Sequence, residues 1–305
     1  MSTIFYNGLA FVLPLLVMAL SGIYCERSGI TNLAVEGFQG FGAFVGAFVA
    51  VLMQQSMGAS NVPYYVAMIM AFVGGCIFAL LHALLCIRFK ANQVISGVVI
   101  NIFAMAMTAY LTKHLNASVF DQASDKLILN VAPKIAGFYT FEPIIIVVVI
   151  VAWFVMYKTR FGLYLRACGD NPQAVDAAGI NVAKIRYIAV ALSGGFAGIG
   201  GICYAYSISS NFSANIYSGY GYLAIAALIF GNWNILPTLG ACALFGFARS
   251  FGYQLVMIAE LPSAYQDLIM ILPYVLTLIM LVFFYNAFKE FLRVHPYDVV
   301  HSKSF

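Results

Sequence analysis

The feature that most constrains this chain is a run of about 20 apolar residues, the length that crosses a hydrocarbon core about 30 Å thick, repeated along most of the sequence. The apolar segments fall at 4–24, 33–53, 63–87, 94–112, 143–157, 186–206, 220–231, 236–258 and 266–287. Backbone polar groups cannot be left unpaired in lipid, so such segments must be helices or strands of a closed barrel. Barrel strands alternate apolar and polar residues over about 10 positions. Ile144 to Val151 is unbroken aliphatic sequence, which selects helices. Only 9% of the residues are charged and 63% are hydrophobic, against about 25% charged in a soluble domain, so a water-soluble fold is excluded. The expectation is an all-α polytopic transmembrane bundle of about 8–10 spans, short or broken helices included, since segment 220–231 is too short to cross alone. Residues 1–305 read as a single transmembrane domain. The first stretch, Ile4 to Tyr24, lacks a basic leader and a small-residue cleavage site, so it reads as a span.

The basic residues orient the spans. With the N-terminus outside, the inner loops hold Arg27, Arg88, Lys90, Lys158, Arg160, Arg166, Lys184 and Arg186, and the tail holds Lys289, Arg293 and Lys303. The outer side then carries only Lys113, Lys126 and Lys134, as the excess of cations in cytoplasmic loops requires. This places the C-terminus in the cytoplasm. It also explains the net charge of +4 without a nucleic-acid partner, because the cations sit at segment ends.

Two hydrophilic loops stand out. The outer one, 113–142, balances Lys113, Lys126 and Lys134 against Asp121, Asp125 and Glu142. The inner one, 158–185, is basic and contains Asp170-Asn171-Pro172. Asp170 or Asn171 can cap a helix that starts at Pro172, runs to Ala178 and stops at Gly179. A short capped helix there suits a docking knob; it also suits a plain connector.

Charge inside a membrane is expensive and marks a functional hypothesis. Glu36 lies four residues after Asn32, a spacing that puts both on one helical face, and Gly37 allows a break. Arg249 lies within segment 236–258, either paired with a carboxylate or carbonyls or serving as a pathway charge. Asn92, Gln93, Ser96 and Gly97, with Asn101 further on, interrupt the apolar pattern where a span begins. Gly219-Tyr220-Gly221-Tyr222 and the piece 224–230 form a second interrupted stretch, and the two together suggest discontinuous helices lining a path. Gly42 and Gly46, Gly194 and Gly198, and the pair Gly74-Gly75 have the small-residue spacing of closely packed membrane helices.

Catalytic signatures are missing. There is no GxxxxGK[ST] phosphate loop, GxSxG elbow or HExxH pair, and His82, His114, His295 and His301 are isolated. Six scattered cysteines contain no CxxC pair and read as packing residues. No catalytic residue, metal ligand or cofactor follows from the residues of this chain.

Several blocks resemble a known family. Ile30 to Gly37 is similar to an N-x-x-x-E-G block, and Ala91-Asn92-Gln93-Val94-Ile95-Ser96-Gly97 to an A-N-x-x-[IV]-S-G block. Leu165 to Ala174 with Ala178-Gly179-Ile180-Asn181 looks like an ATPase-docking loop. Ala224 to Gly231 with Trp233, and Leu272-Pro273-Tyr274, complete the set. In this order they resemble the permeases of the branched-chain amino acid, ribose and nucleoside group of binding-protein-dependent ABC importers, nearest the nucleoside type. Glu36, where branched-chain amino acid permeases usually carry histidine, points toward nucleosides; simple sugars and branched-chain amino acids are the neighbouring alternatives.

The resemblance implies half of a translocation pathway in a bacterial cell membrane. The implied partners are a second, different permease chain, ABC ATPase subunits that bind ATP and Mg, and an extracytoplasmic substrate-binding protein facing loop 113–142. It assigns ATPase coupling to Arg166, Gly169, Asp170, Asn171, Ala174, Gly179 and Ile180, and the pathway to Asn32, Glu36, Asn92, Gln93, Ser96 and Asn101. The rival of another class is an ion-coupled secondary transporter using Glu36 or Arg249; a passive channel is a third reading.

Overall fold

The computed structural model describes residues 2–58 and 60–258, with isolated positions 271, 275 and 279 beyond them. The expected last span at 266–287, its Leu272-Pro273-Tyr274 block and the basic C-terminal tail lie outside the described residues. Ten helices are described: α1 Ser2–Glu26, α2 Val35–Met57, α3 Val62–Ala83, α4 Gln93–Val119, α5 Phe141–Lys158, α6 Arg160–Asp170, α7 Pro172–Ala177, α8 Val182–Tyr204, α9 Tyr220–Phe230 and α10 Ile235–Ile258. A π-helical turn extends α3 over Leu84–Arg88 and another extends α8 over Ala205–Ser209. Seven stretches are long and apolar enough to cross a membrane: Ile4–Glu26, Val35–Met57, Val62–Arg88, Gln93–Val119, Phe141–Lys158, Val182–Ser209 and Ile235–Val256. With the short helix α9, these are the eight expected segments up to residue 258. The chain is an all-α membrane bundle.

α1 is the axis of the bundle. It is apolar on every side, and a helix of that kind is buried all round. It packs against α5, α8, α9 and α10. Around it, α2, α3 and α8 form the tightest layer, because their glycines meet. A Cβ at Gly42 would lie 2.5 Å from the Gly198 Cα, and one at Gly194 would strike the Gly75 carbonyl. This close approach is the role expected of the small-residue spacing. α4 and α5 lie at the rim, and their outer faces expose Ile95, Ile102, Tyr110, Val147, Ile150 and Phe154.

The two ends of the bundle are distinct. At one end the turn after α1, helices α6 and α7 and the turn before α10 come together, through Arg27 Nε donating to the Trp233 carbonyl and Arg186 Nε donating to the Ser28 carbonyl. At the other end, the loop expected at 113–142 is shortened because α4 continues to Val119. The remainder folds into two small antiparallel ladders. β1 Leu127–Ile128 pairs with β4 Asn211–Phe212, register Leu127 to Phe212; β2 Lys134–Ile135 pairs with β3 Phe138–Tyr139, register Lys134 to Tyr139. The turn of the second ladder, Ala136-Gly137, has positive φ at both positions, the geometry that tight hairpins prefer.

The loop at 158–185 holds one element more than expected. α6 precedes the short helix, capped by the Thr159 hydroxyl accepting from Gly162 N–H. α7 is the expected short helix. Of its two candidate caps, Asn171 serves: its Oδ1 accepts from Ala174 N–H at 3.1 Å, while Asp170 is the last residue of α6. Gly179 takes φ +79, Gly179 N–H donates to Asp176 and Ile180 N–H to Val175, which closes the helix as a glycine terminator does.

Candidate functional site

The polar residues of the first two spans meet those of α4, α8 and α9 at one junction inside the bundle. Its origin is a break between α1 and α2. The chain leaves α1 at Glu26, turns at Gly29 and runs non-helically to Ala34. Non-helical backbone within a bundle must find partners from neighbouring side chains. The Gln93 side-chain oxygen accepts from Thr31 N–H at 2.7 Å, and Asn101 Nδ2 donates to the Leu33 carbonyl at 2.7 Å. Asn32 Oδ1 accepts from Ala34 N–H, and its Nδ2 donates to the Ser193 hydroxyl, which is bonded in turn to Ser21. His82 on α3 contacts the Ser96 hydroxyl at 2.9 Å and the Thr31 carbonyl at 3.4 Å.

Asn101 is saturated. Besides Leu33, its Nδ2 donates to the Tyr222 hydroxyl at 2.9 Å, and its Oδ1 accepts from Gly37 N–H at 2.7 Å, one of the unpaired N–H groups of the first turn of α2. Glu36 performs the same service for α9. Its two carboxyl oxygens accept from Gly219 N–H at 2.8 Å and Gly221 N–H at 2.5 Å. A short helix that starts inside the bundle leaves its first N–H groups and positive dipole end without water, and an acidic side chain from the neighbouring helix answers both. Tyr217 fills the space between: its ring lies where Gly40 of α2 has no side chain, and its hydroxyl is 3.1 Å from Thr108 of α4. Gln39 Nε2 donates to the Ile216 carbonyl, while its Oε1 is buried without a partner.

Three expectations about this region are corrected. Asn32 and Glu36 do not share a helical face, because α2 begins only at Val35 and Asn32 lies in the non-helical link. Gly37 does not break the helix; it lets α4 approach, since a Cβ there would lie 2.9 Å from Asn101 Oδ1. The stretch around Asn92 and Ser96 is no discontinuity. α4 is continuous from Gln93, and Asn92 is its N-cap, accepting from Val94 and Ile95 N–H. Among the described residues, the chain breaks at the link 27–34 and between α8 and α9; of the expected interruption at 219–222, only Gly219 falls in a break, as the N-cap of α9, while Tyr220-Gly221-Tyr222 is helical.

At the end that carries α6 and α7, Arg186 ties the loop to the bundle. Its Nε donates to the Ser28 carbonyl at 3.0 Å and its Nη2 to the Cys168 carbonyl at 3.2 Å. Gly169 packs directly on the Arg27 backbone, with no room for a side chain. Arg166 lies over the Tyr157 ring at 5.2 Å and donates to the Gly162 carbonyl. The Cys168 thiol is pushed up by burial, with Arg186 acting in the opposite direction. Val175 anchors α7, while Asp170, Asn171, Ala174 and Gly179 are exposed and Ile180 is half-buried. An exposed knob on a fixed base results.

Further residues carry this architecture in roles that the sequence did not assign. The Trp233 indole donates to Glu26 Oε2 at 2.5 Å, and Asn232 and Trp233 both take positive φ, a conformation that non-glycine residues adopt only when the surroundings hold it. Glu26, a carboxylate at the end of the first span, was a legible signal; the roles of His82 and Ser193 required the fold. Arg249 pairs with no carboxylate among the described residues. Its Nη2 donates to the Tyr220 hydroxyl and its guanidinium lies 4.4 Å from the Phe11 ring centroid. Among the described residues no three His, Cys, Asp or Glu side chains come together as a metal site.

A bundle with broken helices meeting inside it and a small exposed helix at one end defines a multi-pass membrane permease. The chain belongs to the family described as branched-chain amino acid transport system / permease component, whose model matches residues 4–281. It is 35% identical to the guanosine ABC transporter permease protein NupQ of Bacillus subtilis, over 90% of this chain and 89% of that one. It is also 35% identical to the nucleoside ABC transporter permease protein NupC of Lactococcus lactis, over 91% and 90% of the two chains. Among solved structures, PsaBC from Streptococcus pneumoniae matches with a TM-score of 0.51 at 15% identity over 90% of both chains, a likeness of fold. The chain is thus a permease subunit of an ABC transporter.

Proposed function

We propose that this permease forms half of the pathway of an ATP-driven nucleoside importer. The observation that carries the transport mechanism is the α6–α7 knob: exposed at its tip, it is fixed at its base to the α1–α2 turn by Arg186 and Gly169. A push on Asp170, Asn171, Ala174, Gly179 or Ile180 from a cytoplasmic ATPase is delivered to the link 27–34, and from there to the junction of Asn32, Glu36, Ser96 and Asn101. ATP and Mg bind to the ATPase, whose two states differ in their grip on the knob; that difference drives alternating access.

The substrate assignment draws on the nucleoside and guanosine permeases to which the chain is similar, and an uncharged polar solute suits a path walled by amides and hydroxyls. Asn32, Glu36, Ser96 and Asn101 act as positioning groups of this wall, since their own hydrogen bonds are filled within the chain. Gln93 and Asn92 stand at its cytoplasmic mouth. The exposed apolar faces of α4 and α5 are available to lipid and to a second, different permease chain. The basic residues at the α6–α7 end support a cytoplasmic position for that end and an N-terminus outside. The ladders of the opposite end, with Lys113, Lys126 and Lys134, then face the substrate-binding protein.

The test is purification of the tagged chain from its native membrane, with mass spectrometry of what remains bound. Co-purification of a P-loop ATPase, lost in the double variant Asp170→Ala, Gly179→Leu, is the expected result. Uptake of labelled nucleoside into vesicles by the chain alone, without ATP, would overturn the proposal in favour of an ion-coupled carrier or a channel.

A further inference from the structure

A second polar site lies away from the junction, at the end of the bundle that carries the ladders. A cleft of about 220 Å³ is lined by Asn7, Phe11, Tyr139, Ser207, Arg249 and Tyr253, together with Ala10, Ile208 and Ser250. It opens between the start of α1, the π-helical end of α8, the second ladder and the far half of α10. Arg249 supplies its charge. The guanidinium is half-buried against the Phe11 and Tyr220 rings and spends one N–H on the Tyr220 hydroxyl. A guanidinium carries five N–H donors, so most remain for another partner. Among the described residues, no carboxylate pairs with it and none lines the cleft.

Two further observations indicate an anionic occupant. The Ser207 hydroxyl, which lines the cleft, is buried without a hydrogen-bond partner. Lys134 lies over the Tyr139 ring at 4.3 Å and brings a second cation to the rim, beside the Glu142 carboxyl that accepts from Tyr139 N–H. The surroundings indicate what carries the anion. Ile208 and Tyr253, which line this polar cleft, also expose apolar faces. Arg249 lies seven residues before the end of the span Ile235–Val256, and a long arginine side chain flanked by tyrosines reaches from there toward the level of lipid headgroups. A polar cationic pocket with an apolar exposed rim matches a molecule that is charged at one end and hydrocarbon at the other.

We propose that the Arg249 cleft binds the phosphate of an anionic membrane lipid, with the guanidinium and the Ser207 hydroxyl on the phosphate oxygens and the acyl chains along Ile208 and Tyr253. Guanidinium pairs with phosphate through two parallel N–H bonds, which lysine cannot reproduce. The site serves the permease whatever solute it carries, so its test does not depend on the nucleoside assignment.

The assembled transporter, with its partner subunits, is reconstituted into nanodiscs containing equal phosphatidylglycerol and phosphatidylcholine, then released and analysed by native mass spectrometry. The unsubstituted protein is expected to retain phosphatidylglycerol in preference by about tenfold or more, the weight of one charge-assisted bond. Arg249→Gln is expected to abolish the preference, and Arg249→Lys to leave only part of it. Equal retention of the two lipids by the unsubstituted protein would overturn the proposal, and this comparison stands even if a variant fails to fold. Inorganic phosphate added to lipid-stripped protein in neutral detergent is expected to bind at least tenfold more weakly than phosphatidylglycerol. Equal binding would overturn the lipid as the source of the anion.

Discussion

Replacement of Glu36 separates the two roles open to a buried carboxyl group. It accepts from Gly219 and Gly221 N–H and so satisfies two of the unpaired donors of α9. Glu36→Gln keeps one acceptor oxygen and sets an NH₂ group against the other N–H, which loses one bond and costs about 1–3 kcal/mol. Glu36→Ala strands both donors away from water, at about 1–3 kcal/mol each, so about 2–6 kcal/mol in sum. Loss of the negative charge at the helix N-terminus adds up to about 2 kcal/mol in either variant. The alanine variant is therefore the less stable of the two. The assay is thermal unfolding of the purified transporter in mild detergent, with limited proteolysis reporting on the segment before α9. Glu36→Ala melting together with the unsubstituted protein would refute the capping role. Glu36→Gln losing nucleoside uptake at unchanged stability would refute it differently, by assigning the carboxyl group to the solute rather than to α9.

Three more perturbations test the packing and the knob. Gly194→Ala drives a methyl group into the Gly75 carbonyl and should cost about 1–3 kcal/mol by overpacking, whereas Gly240→Ala, which has open space around it, should be neutral or slightly stabilising; parallel melting curves decide. Gly179→Ala must hold φ +79 with a Cβ and should cost about 1–2 kcal/mol, with Gly179→Asn milder; binding of the ATPase partner in a pull-down should weaken in that order. Arg186→Ala and Arg186→Lys both lose the two-point tie to Ser28 and Cys168, so ATP hydrolysis should persist while uptake falls; uptake and hydrolysis falling in strict proportion would contradict the tie as a coupling element.

Much of the bundle was legible because lipid enforces a simple rule. A run of about 20 apolar residues has to be a helix, and every segment read up to residue 258 is one. The inner loop was legible for a local reason: an asparagine cap, a proline and a terminating glycine are all close in sequence, so α7 could be read residue by residue. The polar positions Asn32, Glu36, Ser96 and Asn101 were visible as rarities among apolar neighbours, and the structure brings them to one junction. Their pairings were not visible. Helical spacing put Asn32 with Glu36, but the link between α1 and α2 is held non-helical by Gln93 and Asn101, more than 60 residues away in sequence.

What the sequence determined by itself was therefore the solvent, the helices and the identity of the polar groups, because these depend on hydrophobicity and on short-range caps. Only the tertiary structure decided which helix each polar group serves. Glu36 caps α9 across a separation of 183 residues to Gly219, and Arg249, left open between a carboxylate or carbonyl partner and a pathway charge, lies against the Phe11 and Tyr220 rings. A buried donor has to be satisfied by whatever acceptor the packing brings within reach, and reach in a bundle is set by helix crossings, which sequence neighbours do not encode.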